Sequence, residues 1–298
     1  MATYSKHPDI IDIPGAVGAW WCDLRSATAF LTCLPVAPRR RCIAPDPSAV
    51  PAEDGSEGDV FDNGRDRPAD DLPAELPNDL PRSTAMFPLV GCGIGLVAAS
   101  ALMAAFEIGF NPLACALVAL AVSIVISAAL HEDGLADFAD ALSGSTRERR
   151  LSIMRDSRIG TFGTLAIVLG VGLRAAILSG LSSSETAMLA LIGAATLSRA
   201  VLPAVMRWQV PARSDGLSAG FATPSLQHIV IATVLALVIC FVTIDFWPTL
   251  IAAAAVILAA LAVALLAQRL LGGHTGDVLG TVQVISEIAA LAVVAALE

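Results

Sequence analysis

Three aspartates with helical spacing form the strongest candidate for a reactive site in this sequence. Asp133, Asp137 and Asp140 are four and three residues apart, which places their side chains on one face of an α-helix. Aligned carboxylates repel one another, and a bound divalent cation resolves that repulsion. Oxygen-only ligands favour Mg²⁺ or Mn²⁺. The spacing predicts a metal site, with an ordinary acidic helix end facing water as the alternative; nearby His131 is a candidate general base or ligand.

A second polar cluster, residues 154–163, reads MRDSRIGTFG. The planar guanidinium groups of Arg155 and Arg158 match the geometry of phosphate oxygens. Ser157 and the backbone before the next helix can add further donors. The preceding run Arg147–Arg150 is interpreted as a basic loop that sets membrane topology.

A third cluster is the glycine-rich segment 272–280, GGHTGDVLG. Glycines permit close backbone approach, and Asp277 stands at the start of an apolar run, either as a site residue or as a helix N-cap. Glu287 lies inside that run, where an ionisable residue is a functional candidate. As an alternative, Arg174, Arg199 and Glu287 pair with one another as buried structural ions.

The composition identifies the environment of these clusters as a membrane. The chain has 298 residues, of which 56% are hydrophobic and 15% charged, whereas about 25% charge is typical of soluble domains. The mean hydropathy is +0.73. The formal net charge of −9 argues against nucleic acid as a partner. A homo-oligomer is compatible with the sequence.

The apolar residues fall into runs of about 17 to 21, the length that crosses a hydrocarbon core of about 30 Å. Because lipid offers no hydrogen bonds to the backbone, such runs must be helical. They predict an all-α fold, a polytopic membrane helix bundle with about seven transmembrane helices. The predicted spans are residues 88–108, 112–130, 161–181, 187–206, 228–244, 248–267 and 278–297.

Three regions are predicted along the chain. Residues 1–37 contain an amphipathic helix, roughly 15–34, that would lie at the membrane interface with two tryptophans at headgroup level. Residues 38–82, rich in Pro, Asp, Glu and Gly, have the composition of a disordered acidic linker. Residues 83–298 form the predicted transmembrane catalytic domain.

The positive charges predict the orientation of the bundle. Of 18 Lys and Arg residues, only Arg174 and Arg199 lie within spans. With seven spans, the other 16 all fall on one side, which the positive-inside rule identifies as cytoplasmic. The N-terminus and the loops 131–160, 207–227 and 268–277 are therefore predicted on the cytoplasmic side, together with the polar clusters.

Seven motifs occur in order along nearly the whole chain outside the predicted linker. They are FLTxLPV at 30–36, FPLVG at 87–91, HxDGLADxAD at 131–140, RRL at 149–151, IMRDSRIGTFG at 153–163, SR at 198–199 and TGDVLG at 275–280. Together they resemble the cobalamin synthase family, whose members are adenosylcobinamide-GDP ribazoletransferases. Glu132 stands where the family usually has an apolar residue, and Arg155 replaces a common lysine. The segment between Pro38 and Arg82 is longer than the usual link.

This resemblance implies a Mg²⁺-dependent transferase in the bacterial cytoplasmic (inner) membrane, with its active site facing the cytoplasm. The hydroxyl of α-ribazole, or of α-ribazole 5′-phosphate, would attack the β-phosphorus of adenosylcobinamide-GDP and release GMP. Phosphoryl transfer depends on positioning and charge neutralisation, and metal ions held by carboxylates supply both.

The resemblance also suggests a role for each residue. The metal would be held by four aspartates, and the attacking hydroxyl would be oriented or deprotonated by His131 or Asp140. The remaining polar residues would hold phosphate oxygens. The predicted metal ligands are Asp133, Asp137, Asp156 and Asp277. The predicted phosphate-binding residues are Arg155, Ser157, Arg158 and Arg199.

Two alternatives differ in class. A CDP-alcohol phosphotransferase also places an aspartate array at a cytoplasmic helix end, but here Asp133-Gly134 is followed by Ala136-Asp137, and the Gly-x-x-x-Asp-x-x-x-Asp tail of those enzymes is missing. A transporter would use intramembrane charges along an ion path. The polar motifs instead collect at one face of the predicted bundle.

Overall fold

The computed structural model describes residues 15–34, 80–213 and 223–298. Within these ranges the chain is helical and has no β-strand apart from a single isolated bridge. The helices are α1 Gly15–Leu31, α2 Leu80–Ser83, α3 Phe87–Glu107, α4 Pro112–Ile126, α5 Leu130–Ala141, α6 Arg147–Ile153, α7 Thr161–Gly180, α8 Ser184–Ala200, α9 Leu202–Trp208, α10 Leu226–Thr243, α11 Phe246–Leu271 and α12 Gly276–Leu297.

Six segments are long and apolar enough to cross a membrane, and α4 with α5 forms a bent pair that allows a seventh crossing. The fold class predicted from the apolar runs, a polytopic helical membrane protein, is therefore confirmed. The fourth predicted span corresponds to α8 and α9 in succession, with a turn residue at Val201 between them. The six segments are Thr84–Glu107, Thr161–Gly180, Ser184–Trp208, Leu226–Thr243, Phe246–Leu271 and Gly276–Leu297.

Helices α8 and α12 form the centre of the bundle. Their most apolar windows are 72% and 67% buried by other parts of the chain, compared with 22% for α10 and 28% for α11. The outer helices expose large apolar side chains such as Val168, Val242 and Leu258. Because hydrocarbon solvates such side chains as well as protein does, their exposure is expected for helices that face lipid.

The predicted second span ends earlier than its apolar run suggests. Helix α4 stops at Ile126, and α5 leaves at 90° to it. Ala128 and Ala129 make the turn with φ of 51° and 55°, a left-handed conformation that costs a residue with a Cβ about 1–2 kcal/mol. The chain therefore changes direction by a right angle between α4 and α5.

The connections between helices gather at two opposite ends of the bundle. At one end, Ser182 donates hydrogen bonds to the carboxylate of Glu298 from its backbone nitrogen and its hydroxyl, at 3.0 and 2.8 Å. At the other end, Arg147 donates to the carbonyl oxygen of Ala212 at 2.8 Å, and Ala212 N donates to His274 O at 2.8 Å. The basic connections therefore share one end, as seven spans require.

The N-terminal helix α1 packs against this same end. Ala27 and Leu31 are buried, whereas Trp20 and Trp21 are about half exposed. The backbone nitrogen of Cys33 donates to the last carbonyl of α4, that of Ile126, at 2.8 Å. The helix predicted near 15–34 is present. The predicted linker 38–82 lies outside the described residues except for its last three, which belong to α2.

Candidate active site

The aspartate array lies on α5, as its spacing predicts, but its three members differ in environment. Asp133 is exposed, Asp137 is half-buried and Asp140 is buried. The helix packs on α12 and α7, and its acidic face begins at the end of the bundle that holds the basic connections. The three carboxylates therefore follow a line from water toward the protein interior.

Two glycines allow α5 to approach the start of α12 closely. A Cβ on Gly134 would lie 2.8 Å from the carbonyl oxygen of Asp277, and one on Gly280 would lie 3.1 Å from that of His131. Thr281 Oγ1 donates to Gly134 O at 3.1 Å across the same contact. Any larger residue at these glycines would push the helices apart, so this close packing is what brings Asp277 beside the acidic face of α5.

Asp277 does not cap its own helix. The N-cap of α12 is Thr275, whose hydroxyl accepts a hydrogen bond from Val278 N at 3.3 Å. The alternative that assigned Asp277 to capping is therefore wrong. Its Oδ2 accepts a hydrogen bond from Thr275 Oγ1 at 3.2 Å. The carboxylate also faces the α5 aspartates and Arg213, whose Nη2 lies 3.8 Å from Asp277 Oδ2.

The charges of these aspartates act on one another. Burial raises the pKa of the Asp137 carboxyl to about 7. The negative charge of Asp277 is the next largest cause, followed by those of Asp133 and Asp140, and Arg213 opposes the rise. A raised carboxyl pKa means that burial and the neighbouring negative charges favour the neutral form of Asp137.

Asp140 accepts hydrogen bonds from two backbone N–H groups. Its Oδ2 accepts a hydrogen bond from Gly160 N at 2.7 Å, and its Oδ1 accepts one from Gly163 N at 2.8 Å. A Cβ on Gly160 or Gly163 would lie within 2.5 Å of this carboxylate. Asp140 thus caps the first turn of α7 and fixes it to α5. Both of its oxygens are occupied, so the geometry gives this residue a positioning role, and its predicted catalytic role stays a prediction.

The segment between α6 and α7 is exposed. Asp156 accepts two hydrogen bonds from the guanidinium of Arg158, at 3.0 and 2.7 Å. These bonds lower the pKa of Asp156 to about 2. Arg155 and Ser157 are exposed beside this pair. The structure thus brings the predicted phosphate-binding residues 155–158 together, but it pairs the predicted ligand Asp156 with its own neighbour rather than with the α5 aspartates.

Arg199 belongs to a buried ion network in the centre of the bundle. Arg174 pairs with Glu132 at 2.9 Å and with Glu287 at 3.5 Å, and Arg199 lies 4.0 Å from Glu287. The two arginines and two glutamates balance in charge. The alternative that treated Arg174, Arg199 and Glu287 as structural ions therefore agrees with the geometry. Glu132, at a position where the family that the motifs resemble usually has an apolar residue, belongs to this network through its ion pair with Arg174.

His131 lies in the first turn of α5, where this helix packs against α12. Its side chain is 3% exposed, and its Nδ1 has no hydrogen-bond partner among the described residues. The backbone of His131 packs closely against Gly280 of α12. Its role as a general base or ligand stays a prediction.

Two arginines, Arg147 and Arg213, connect distant segments at this end of the bundle, and the sequence did not indicate these contacts. Arg147 Nε donates to the last carbonyl of α11, that of Leu271, at 2.6 Å, and its Nη2 donates to Ala212 O. Arg213 follows directly and reaches Asp277. Both contacts join segments more than sixty residues apart. A basic residue near an apolar run is also what topology requires, so the sequence alone gave no signal for these roles.

The donor set fits a hard divalent cation. Asp133, Asp137 and Asp277 present carboxylate oxygens, the ligands that Mg²⁺ prefers, and the negative charges of Asp133 and Asp277 contribute to the raised pKa of Asp137. Within the described residues, no three His, Cys, Asp or Glu side chains are close enough to hold a metal as they stand. Mg²⁺ usually retains water and binds substrate phosphates, so it does not need a complete protein cage.

The fold and site together define a polytopic helical membrane protein with an acidic site at one end of its bundle. A model of the family "Cobalamin-5-phosphate synthase" matches residues 69–295, well over half of the chain. The chain belongs to the cobalamin-5-phosphate synthase family, which confirms the resemblance inferred from the motifs.

Curated relatives support this assignment. The chain is 38% identical over 277 residues to the adenosylcobinamide-GDP ribazoletransferase of Bradyrhizobium diazoefficiens, covering 93% of this chain and 94% of the relative. It is 42% identical over 251 residues to the protein of that name from Azorhizobium caulinodans, covering 82% and 90%. For the one from Allorhizobium ampelinum the identity is 40% over 226 residues, covering 73% and 86%. No solved structure matches the chain.

Proposed function

We propose that this chain is an adenosylcobinamide-GDP ribazoletransferase. It joins adenosylcobinamide-GDP to α-ribazole or α-ribazole 5′-phosphate and forms adenosylcobalamin or its 5′-phosphate. The printed names of relatives that align with most of the chain support this activity. The observation in the structure that carries the proposal is the approach of Asp277 to the acidic face of α5, which fits transfer at a diphosphate.

In this reaction the hydroxyl oxygen of the ribazole forms a bond to the β-phosphorus, and the bond between that phosphorus and the oxygen of GMP breaks. The hydroxyl proton is released, and GMP leaves with the bridging oxygen. Such a reaction relies on positioning and on neutralisation of charge. A bound Mg²⁺ supplies neutralisation of the diphosphate. We propose Asp133, Asp137 and Asp277 as the residues that hold it.

The other polar residues position the substrate. Arg155 and Ser157 lie on an exposed segment where they can contact phosphate oxygens, as the motif predicts. Asp140 holds the start of α7 and therefore the far end of that segment. The basic end of the bundle faces the cytoplasm by the positive-inside rule, so soluble substrates reach the site from the cytoplasmic side of the inner membrane.

The test is an assay of the purified protein in detergent or nanodiscs. Adenosylcobinamide-GDP and α-ribazole are supplied with and without Mg²⁺, and GMP and corrinoid products are quantified by mass spectrometry. We expect both products only with Mg²⁺, and a loss of at least a hundredfold in Asp137→Asn. Glu148→Gln, which removes an exposed carboxylate on α6, is the matched control and should stay active.

Absence of any corrinoid product from the wild-type protein under all conditions would refute the proposed activity. Near-normal transfer by Asp137→Asn with unchanged Mg²⁺ dependence would refute the metal role alone.

A further inference from the structure

Arg213 is the cation that the described structure places beside the acidic site. Its Nη2 lies 3.8 Å from Asp277 Oδ2 and donates to Leu151 O at 3.4 Å. Both contacts are long for a guanidinium, which forms charge-assisted hydrogen bonds at about 2.7–2.9 Å. The side chain is only 15% exposed. Among the described residues, Arg213 therefore lies near the carboxylates without a short hydrogen bond to any of them.

The segment that carries Arg213 is fixed to the base of α12. His274 N donates to Val210 O at 3.0 Å, and Ala212 N donates to His274 O at 2.8 Å. Arg147 donates to Ala212 O from the opposite side. These bonds lie within four residues of Asp277, so the backbone that positions Arg213 and the helix that positions Asp277 form one unit.

Arg213 has one donor without an acceptor among the described residues. Its Nε is buried and lacks a hydrogen-bond partner within the part of the chain that the structure describes. A buried donor without an acceptor costs about 1–3 kcal/mol, so a position of this kind favours an incoming acceptor. Arg158 differs, because its fork is occupied by both oxygens of Asp156.

We propose that Arg213 is a substrate-binding residue that donates to phosphate oxygens of the nucleotide-activated substrate, next to the carboxylates that hold the metal. This inference rests on the proposed function and names a residue for its diphosphate. A planar guanidinium can bind two oxygens of a phosphate group at once, and metal-bound phosphates beside Asp277 lie within reach of a side chain already 3.8 Å from that carboxylate.

The competing explanation is that Arg213 serves only as a counter-ion for Asp277. The two roles differ in their effect on ligands. A counter-ion competes with the metal, so its loss would leave GDP affinity unchanged or make it tighter through better metal binding. A phosphate-binding residue contributes directly to GDP affinity, so its loss would weaken the binding of GDP.

The experiment measures GDP binding to the full chain in detergent by isothermal titration calorimetry in the presence of Mn²⁺. Arg213→Gln should lower the affinity for GDP at least tenfold. Arg213→Lys should lower it less, because lysine keeps the charge but loses the paired N–H donors of the guanidinium. Arg269→Gln, which removes an exposed charge near the end of α11, is the matched control and should bind GDP like the wild type.

Mn²⁺ affinity, measured by electron paramagnetic resonance, shows whether the variant site is folded. We expect Arg213→Gln to bind Mn²⁺ at least as tightly as the wild type. Unchanged GDP affinity in Arg213→Gln, or no GDP binding by the wild-type chain, would overturn the inference. Failure of the wild type to form a corrinoid product would refute the proposed function, a result that the binding measurements do not depend on.

Discussion

Gly134 of α5 and Asp277 of α12 are in direct contact, so close that a Cβ on the glycine would lie 2.8 Å from the carbonyl oxygen of the aspartate. These residues are 143 positions apart in the sequence. The contact places the carboxylate of Asp277 on α12 beside the carboxylates of α5. The arrangement of the candidate site therefore depends on the absence of a side chain at one position.

Gly134→Ala should separate the two helices and disperse the carboxylates. We expect transfer activity and Mn²⁺ affinity both to fall at least tenfold, because metal sites tolerate little displacement of their ligands. The control is Gly93→Ala on α3, where a Cβ would meet no atom within 4 Å. Full activity and unchanged Mn²⁺ affinity in Gly134→Ala would show that the approach of α5 to α12 is not needed.

Asp140→Asn tests whether this residue positions α7 or takes part in the chemistry. An asparagine keeps one acceptor oxygen, but its NH₂ group is a donor and would face the other backbone N–H, which is also a donor. We expect the free energy of unfolding to fall by about 1–3 kcal/mol, with activity reduced in proportion to the folded fraction. Thermal unfolding and kcat are measured together, and the exposed Asp156→Asn serves as the stability control. A large loss of kcat at unchanged stability would instead support a catalytic role for Asp140.

The binding of Mg²⁺ should depend on pH through Asp137. Its raised pKa of about 7 means that the folded chain binds this proton more tightly than the unfolded chain does. Without metal, the stability of the folded chain decreases as the pH rises from the ordinary carboxyl range through about 7. A cation relieves this effect only when the carboxyl is ionised.

The increase in melting temperature on adding Mg²⁺ should therefore be larger at pH 8 than at pH 6. In Asp137→Asn, which cannot ionise at this position, this difference between the two pH values should become smaller. An equal increase at both pH values in the wild type would contradict the assignment.

The buried ion network should respond strongly to loss of one member. Glu287 contacts both Arg174 and Arg199, so Glu287→Gln leaves two buried arginines with Glu132 as their remaining acidic partner. We expect a loss of about 3–5 kcal/mol in the free energy of unfolding, measured by denaturation in detergent. Glu185→Gln, at an exposed position on α8, provides the control. A change in Glu287→Gln as small as in the control would show that the network is not a structural element.

The sequence predicted those features that depend on local pattern. Apolar run length gave the membrane spans, because the thickness of the bilayer sets it. The spacing of Asp133, Asp137 and Asp140 gave their common helix. Features that depend on contacts between distant segments were not predictable in this way. The turn at Ala128 and Ala129 uses residues with no turn signal, because alanine ordinarily favours helix.

The hydrogen bonds of Asp140 and the approach of Arg213 to Asp277 were not predictable for the same reason. Asp140 shares the helical spacing of the metal candidates, and only the packing of α7 shows that its oxygens are occupied. Arg213 lies in a connection where any basic residue satisfies topology, and only the pairing of that segment with His274 brings it to the site. Residue types indicated which chemistry this end of the bundle could support, and tertiary packing determined which of these residues lie together.

The most direct test of the acidic site is Mn²⁺ binding to the purified chain by electron paramagnetic resonance. We predict one class of tight sites in the wild type, with affinity reduced at least tenfold in both Asp137→Asn and Asp277→Asn and little changed in Asp156→Asn. Wild-type affinity in both of the first two variants would show that α5 and α12 do not share a cation, and would contradict the proposed metal site.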